Sequence, residues 1–289
     1  MRKVIVVLLI MLSAAIVSSG QPPDRFPPIL ATPAQAGGLM ILQGGVPVVS
    51  GYTYTSTGFN GASRLYHTGN LTGIADTDTG LFSGWFRFTD GDASFRMLIS
   101  AYDGGTNRRF SIAVTASDTL LIYCRDSSST IVLQLANSTG TFTTSTGWFH
   151  ILCSFDLSAD KAYLYINGVS NIDIATEDTA GIVDYNMAGA SPQWDINGVE
   201  DNSFRFTGLV SEYYFTNEYL DLSVEANRLK FRTADGKPEN LGANGSTPTG
   251  TQPLIYLKNA YGTFGTNLGS GGNFSVNGDA LTDGGANIP

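Results

Sequence analysis

Residues 147–169 read GWFHILCSFDLSADKAYLYINGV. Two apolar runs flank a polar turn, and Asn167-Gly168 supplies the residue pair that most readily takes two positive φ angles. The period is two. Phe149, Ile151, Cys153 and Phe155 fall on one face of the first run, and Trp148, His150, Leu152 and Ser154 on the other. In the return run Tyr163 and Tyr165 share one side, and Leu164 and Ile166 share the opposite side. The pattern predicts an antiparallel hairpin with its more apolar face toward a core.

The same alternation extends in both directions. Leu81–Thr89 (LFSGWFRFT) is bulky on both faces, which predicts a strand covered on both sides. Ser94–Ala101 follows the turn sequence Asp90-Gly91-Asp92. Phe110–Thr115, Thr119–Arg125 and Ile131–Leu135 continue as a closely spaced meander, and Gln193–Asn197 and Phe204–Thr216 come later. Asp221–Phe231 is the one good helical stretch, capped by Asp221 or Ser223, with Leu222, Ala226 and Leu229 on one face. Many strands, one short late helix and no βαβ alternation predict an all-β, two-sheet antiparallel jelly-roll sandwich.

Composition agrees. The chain has 289 residues, 34 of them Gly, with 14% charged residues and a formal net charge of −9. Long helices need far more Ala, Glu, Lys and Leu. An acidic chain whose densest basic pair is Arg108-Arg109 lacks the basic face that a nucleic-acid partner requires. Cys124 and Cys153 both fall in predicted strands, as two buried thiols or as one disulfide if those strands are neighbours. Neither belongs to a CxxC or Cys/His pattern of a zinc site.

Met1-Arg2-Lys3 precedes the apolar run VIVVLLIMLSAAIV at 4–17, and Ser18-Ser19-Gly20 follows. The signature is that of a secretory signal peptide over 1–20, with an uncleaved membrane anchor or a docking segment as alternatives. Residues 21–47 are a Pro/Gly-rich arm, 48–235 the sandwich, and 236–289 a Gly/Asn-rich extension in which Asn273–Leu281 can form a short strand pair.

Several of these features occur together in one family. Gly84-Trp85-Phe86 at a strand, Trp148 ahead of Phe149–Phe155, Tyr163–Gly168 ending in Asn-Gly, and Phe206-Thr207-Gly208-Leu209-Val210 before Leu222–Lys230 resemble the concanavalin A-like lectin/glucanase superfamily in its laminin G-like branch. The resemblance covers residues 50–235. A narrower one covers 219–274. Tyr219–Arg228, Phe231, Asp235-Gly236-Lys237-Pro238, Leu241-Gly242, Pro253-Leu254-Ile255-Tyr256 and Asn267–Phe274 are similar to a block found in bacteriophage virion structural proteins. These likenesses imply a virion or extracellular location, with a glycan or cell-surface polysaccharide and other virion proteins as partners.

Enzymatic chemistry is poorly served. Glucanases of this fold use an E-x-D-x-(x)-E strand whose two carboxylates flank the scissile bond. The glutamates here are Glu177, Glu200, Glu212, Glu218, Glu225 and Glu239, and none lies in that pattern. No G-x-S-x-G surrounds a serine, and His67 and His150 are the only histidines. The expectation is a protein that is not an enzyme. The resemblance implies Ca²⁺ as a cofactor at the sandwich rim, with Asp76 and Asp78 as the favoured ligands and Asp90 and Asp92 better explained by turn geometry. Sugar binding needs an exposed aromatic among planar polar groups. Trp194, Asp195 and Asn197 with the loop 198–203, and Tyr185 with Asn186, are the candidates.

Overall fold

The computed structural model describes residues 52–105 and 107–285. The expected leader, and the arm at 21–47, lie outside the described residues. In chain order the strands are β1 (Ser56–Asn60), β2 (Arg64–Thr68), β3 (Thr79–Phe88), β4 (Arg96–Tyr102), β5 (Arg108–Val114), β6 (Leu120–Arg125), β7 (Ile131–Ala136), β8 (Phe149–Asp156), β9 (Lys161–Ile166), β10 (Val169–Ser170), β11 (Asp173–Glu177), β12 (Gln193–Ile196), β13 (Thr207–Thr216), β14 (Ile255–Leu257), β15 (Ser275–Asn277) and β16 (Thr282–Gly285). They form two antiparallel sheets. The first runs β10-β9-β8-β3-β13-β1-β16, with β14 also paired to β13; the second runs β11-β7-β6-β5-β4-β12-β2-β15. The jelly-roll sandwich expected from the alternation is the observed architecture.

The opening hairpin is β8 and β9, and its halves part as the alternation requires. Phe149, Ile151, Cys153, Phe155, Leu164 and Ile166 enter the core between the sheets. Asn167 (φ 52°) and Gly168 (φ 80°) form the two-residue turn into β10, with Ile166 opposite Val169. Cys124 on β6 and Cys153 on β8 are free thiols in that core, and burial pushes the Cys153 thiol up to about 12.

β3 is covered on both faces. Phe82, Phe86 and Phe88 point between the sheets, where Phe86 lies 5.9 Å from Phe149 and 6.0 Å from Tyr213. Leu81 points outward into a second apolar layer with Leu152, Tyr214, Leu222, Phe231, Leu241 and Tyr256. That layer is supplied by the chain after β13, which folds back over the first sheet. Each such side chain contributes about 1.5–3 kcal/mol on burial.

Two expectations change here. The stretch 221–231 holds only one helical turn, α1 (Glu225–Arg228), with no side-chain cap. The Asp221 carboxylate is taken up locally by the N–H (2.9 Å) and hydroxyl (2.6 Å) of Ser223. Leu222 is buried, whereas Leu229 is 39% exposed, so the predicted apolar helical face does not exist. Leu222 instead reaches the second layer from a turn. Residues 236–285 are also no mere extension. β14 adds to β13, β15 pairs with β2 in the second sheet, and β16 pairs with β1 in the first. The predicted pairing within 273–281 is replaced by strands on opposite sheets, separated by Gly278, where a Cβ would meet the Ala62 carbonyl at 1.9 Å.

The register of β13 against β3 shifts between Ser211 and Tyr214, and the extra residue in this bulge includes Glu212 at φ 47°. Its buried carboxyl accepts hydrogen bonds from the hydroxyls of Tyr52 (2.8 Å) and Tyr256 (3.0 Å). Burial pushes the carboxyl up to about 7; the two tyrosine hydrogen bonds and Lys258 only partly oppose this. Unfolded, it titrates near 4.5. Between those values the folded chain keeps a proton that the unfolded chain releases, so stability falls as pH rises from about 4.5 to about 7 and is level above. Glu212→Gln should remove roughly 2–3 kcal/mol of that loss. Urea midpoints of both proteins at pH 5 and pH 8 check this; parallel pH dependence of the two would contradict it.

Candidate functional site

The sequence candidates are largely structural. Trp194 lies on β12 between β2 and β4, fully buried, with its ring 5.2 Å from Phe215 and 6.2 Å from Phe110. It has no face for a sugar, and its predicted stacking role is corrected: it is a core residue. Tyr185 is equally buried, roughly parallel to Trp194, and donates its hydroxyl to the Thr79 carbonyl at 3.2 Å. Asp195, on the opposite face of β12, is buried against the Arg64 guanidinium, and both its oxygens accept from Gln193 Nε2 at 2.9 Å. Burial pushes it up to about 6, with Gln193 and Arg64 pulling back. Asn197, buried at φ 62°, donates to the carbonyls of Ser63 (2.9 Å) and Phe206 (3.1 Å) and accepts from the Phe206 N–H (2.6 Å). It joins three chain segments and offers nothing outward. In the adjoining loop Glu200 pairs with Arg108 at 3.0 Å, and Asp201 is held by Ser203. Among Trp194, Asp195, Asn197, Tyr185 and Asn186 only Asn186 is exposed, together with Asp201 and Asn202 of the loop.

The acidic candidates for Ca²⁺ are likewise engaged. Asp76 Oδ1 accepts the Asn186 N–H at 2.6 Å, and Asp78 Oδ1 accepts the Thr77 hydroxyl at 3.2 Å. Hydrogen bonding, led by Ser158, holds the Asp78 carboxyl below its usual range. Asp90 accepts from the neighbouring Gly91 N–H as a turn residue does, whereas Asp92 ties the turn to Thr144, 52 residues on, by accepting its N–H and hydroxyl. Among the described residues no three His, Cys, Asp or Glu side chains gather around one point.

His150 makes a 2.8 Å contact through Nε2 with Ser83 Oγ, a pairing that outwardly suits nucleophilic catalysis. Both residues are buried, Nδ1 has no carboxylate behind it, and burial, with help from Arg232, pushes the imidazole down to about 3. With no carboxylate among the described residues to orient the ring through Nδ1, the pair lacks the third member that activation of Ser83 would need. His67 is an anchor: its ring nitrogens meet the carbonyls of Asn273 (2.9 Å) and Asn70 (3.3 Å).

Two surface concavities among the described residues stand apart from these groups. One, about 210 Å³ and wide open, is formed by the turn at Tyr261–Thr263 with Gly265, Thr266, Asn273, Phe274 and Val276. Phe274 is buried in its floor and Tyr261 is 43% exposed. The Tyr261 ring packs on no other aromatic ring, and its hydroxyl has no hydrogen bond among the described residues. Asn267 organises the floor by donating to the carbonyls of Leu254 (2.8 Å) and Gly272 (2.9 Å) while its own N–H meets Asn273 Oδ1 (3.0 Å). The other, about 160 Å³, opens between the outer face of the first sheet and α1, bounded by His150, Leu152, Gly168, Arg228 and Arg232. Sequence reading missed both because Tyr261 stands in a Gly-rich stretch with the composition of a tail, and Arg232 follows a predicted helix that does not form.

Residues 60–223 match the laminin G-like description of the concanavalin A-like lectin/glucanases superfamily. The chain belongs to that superfamily. No curated protein is matched by the sequence. Among solved structures, a Bacteroides ovatus protein provisionally assigned as carbohydrate binding is similar over 80% of this chain, at 15% identity and a TM-score of 0.54. The match spans 60% of that protein's length. The heptameric SAP-like pentraxin of Limulus polyphemus matches over 80% of this chain and 95% of its own, at 12% identity and a TM-score of 0.48. The CBM40 domain of the Ruminococcus gnavus IT-sialidase, solved with α2,3-sialyllactose, matches over 61% of this chain and 98% of its own, at 14% identity and a TM-score of 0.43. The Bacteroides ovatus likeness agrees with the sandwich fold.

Trp194→Ala should cost about 3–5 kcal/mol of stability through the cavity it leaves. Urea denaturation measures this. A variant of unchanged stability would contradict the core assignment.

Proposed function

We propose that this chain is a non-enzymatic glycan-binding module whose sugar-contacting surface is the open depression at Tyr261. The observation that carries this is the Tyr261 ring itself: half-exposed, unpacked by other aromatics, and set above a floor that Asn267 and Phe274 hold in place. Binding sites combine an apolar platform with a few fixed polar groups, and Thr263, Thr266 and Asn273 supply those groups around the ring. The depression is lined by no Asp, Glu or His, so it offers a surface for a sugar without an acid or base to cleave one.

A surface setting, on a virion or exported, suits this reading, since polysaccharide is met there. The apolar run at 4–17 and the phage-like block from Tyr219 to Phe274 support it. A purely structural virion role draws on the same block. Its apolar members Leu222, Phe231, Leu241 and Tyr256 are spent inside the fold, however, and that packing leaves Tyr261 without an internal task. This favours the glycan reading over the structural one.

The test is a glycan array of microbial polysaccharides, run with and without calcium, on the full chain and on Tyr261→Ala. The expected result is binding to at least one polysaccharide class, weakened at least about tenfold in the variant, with its melting temperature unchanged. Absence of binding across the array, or a variant that binds as the parent does, would overturn the proposal.

A further inference from the structure

The cleft beside α1 has a polar inventory that the fold leaves unused. Arg228 is committed: Nη1 donates to the carbonyls of Leu222 (2.7 Å) and Ser223 (3.0 Å), and the guanidinium lies over the Tyr165 ring at 4.6 Å. Arg232 is not. Among the described residues its guanidinium has no ion pair and no hydrogen bond, and its Nε is buried without a partner. Bare backbone on two sides leaves room for it. A Cβ at Gly168 would stand 3.0 Å from Nη1, and one at Gly236 would stand 2.8 Å from Nη2. Both glycines have positive φ, so larger residues are disfavoured there on two counts.

His150 lines the same cleft with 1% of its surface exposed, and its Nδ1 is buried and unpartnered. Ser83 Oγ contacts Nε2 and has no other acceptor among the described residues, so its hydroxyl donates to Nε2. This bookkeeping assigns the imidazole proton to Nδ1, a donor without an acceptor. The ring is held against Trp85, 4.6 Å away and 20° from parallel. A buried donor left unpaired is costly, so two at one cleft call for an explanation.

We propose that this cleft is a binding site for a small carboxylate-bearing ligand, with the Arg232 guanidinium as its principal anchor and His150 as a second donor. A carboxylate offers two acceptor oxygens in a plane, the shape that a guanidinium fork matches. Leu152 and Leu229 supply apolar wall for the body of the ligand, and Ala234 a small rim. Glu225 also lines the cleft and sets one negative charge against the two arginines, which leaves a net positive site. A neutral imidazole agrees with this role, since burial and the facing Arg232 keep His150 unprotonated near pH 7. A carboxylate can come from an acidic sugar residue or from a non-sugar acid, and the cleft chemistry serves both.

The site is independent of the Tyr261 depression. The experiment is NMR titration of the full chain with sodium glucuronate, sodium succinate and glucose, following the Trp85 indole and His150 ring resonances. Glucuronate, succinate or both should shift these signals with millimolar affinity, and their ratio assigns the source. Glucose should leave them in place. Arg232→Gln should weaken binding at least tenfold. Ala234→Trp, an exposed-rim substitution that fills the cleft, should do the same and covers the case of an Arg232 variant that fails to fold. Tyr261→Ala should bind glucuronate as the parent does, which separates this site from the glycan surface. Absence of shifts with both acids, equal shifts with glucose, or parental binding by Arg232→Gln and Ala234→Trp would overturn the proposal.

Discussion

The burial of β3 on both faces is the constraint on which the rest of the molecule depends. A strand that sends Phe82, Phe86 and Phe88 to one side and Leu81 to the other needs apolar cover on both. The second sheet provides the first. The second comes from the chain after β13, which lays Leu222, Phe231 and Leu241 over the outer face and returns as β14, whose Tyr256 joins them. The C-terminal region is therefore an architectural layer. Having crossed the first sheet, it closes both: β15 joins the second sheet and β16 the first.

That arrangement displaces function from the positions where a sandwich pattern suggests it. The polar residues around β12 are internal struts: Asp195 on Arg64, and Asn197 on Ser63 and Phe206. Buried polar groups that are fully bonded rigidify a fold and leave nothing for a ligand. Among the groups left unsatisfied or uncovered are Tyr261 on the surface of the C-terminal layer and His150 and Arg232 under its edge.

The hairpin at 147–169 could be read from sequence because period-two alternation and an Asn-Gly turn are local properties, and both faces of β8 and β9 point as the alternation requires. The doubly bulky character of residues 81–89 likewise foretold two layers, though not what forms the outer one. The functional residues were less legible. Trp194 and Asp195 look alike in sequence whether β12 is at an edge or in the middle, and its central place depends on pairing with β2, more than 100 residues away. The helix at 221–231 failed because Asp221 and Ser223 bond each other in a turn in place of capping, a competition that propensity does not resolve. The Gly-rich stretch 259–285 has the composition of a tail, yet its glycines permit close approaches, as at Gly278 against Ala62.

The central claim is that residues beyond β13 are part of the sandwich. Leu254, Ile255, Leu257, Phe264, Phe274 and Leu281 all lie in the inter-sheet core. At roughly 1.5–3 kcal/mol each, they outweigh much of the 5–15 kcal/mol by which a domain is typically stable. The direct measurement is thermal unfolding, followed by near-ultraviolet circular dichroism, of a chain ending at residue 251 against the full chain. The account predicts that the shortened chain shows no cooperative transition. A shortened chain that melts cooperatively at the temperature of the full one would contradict it.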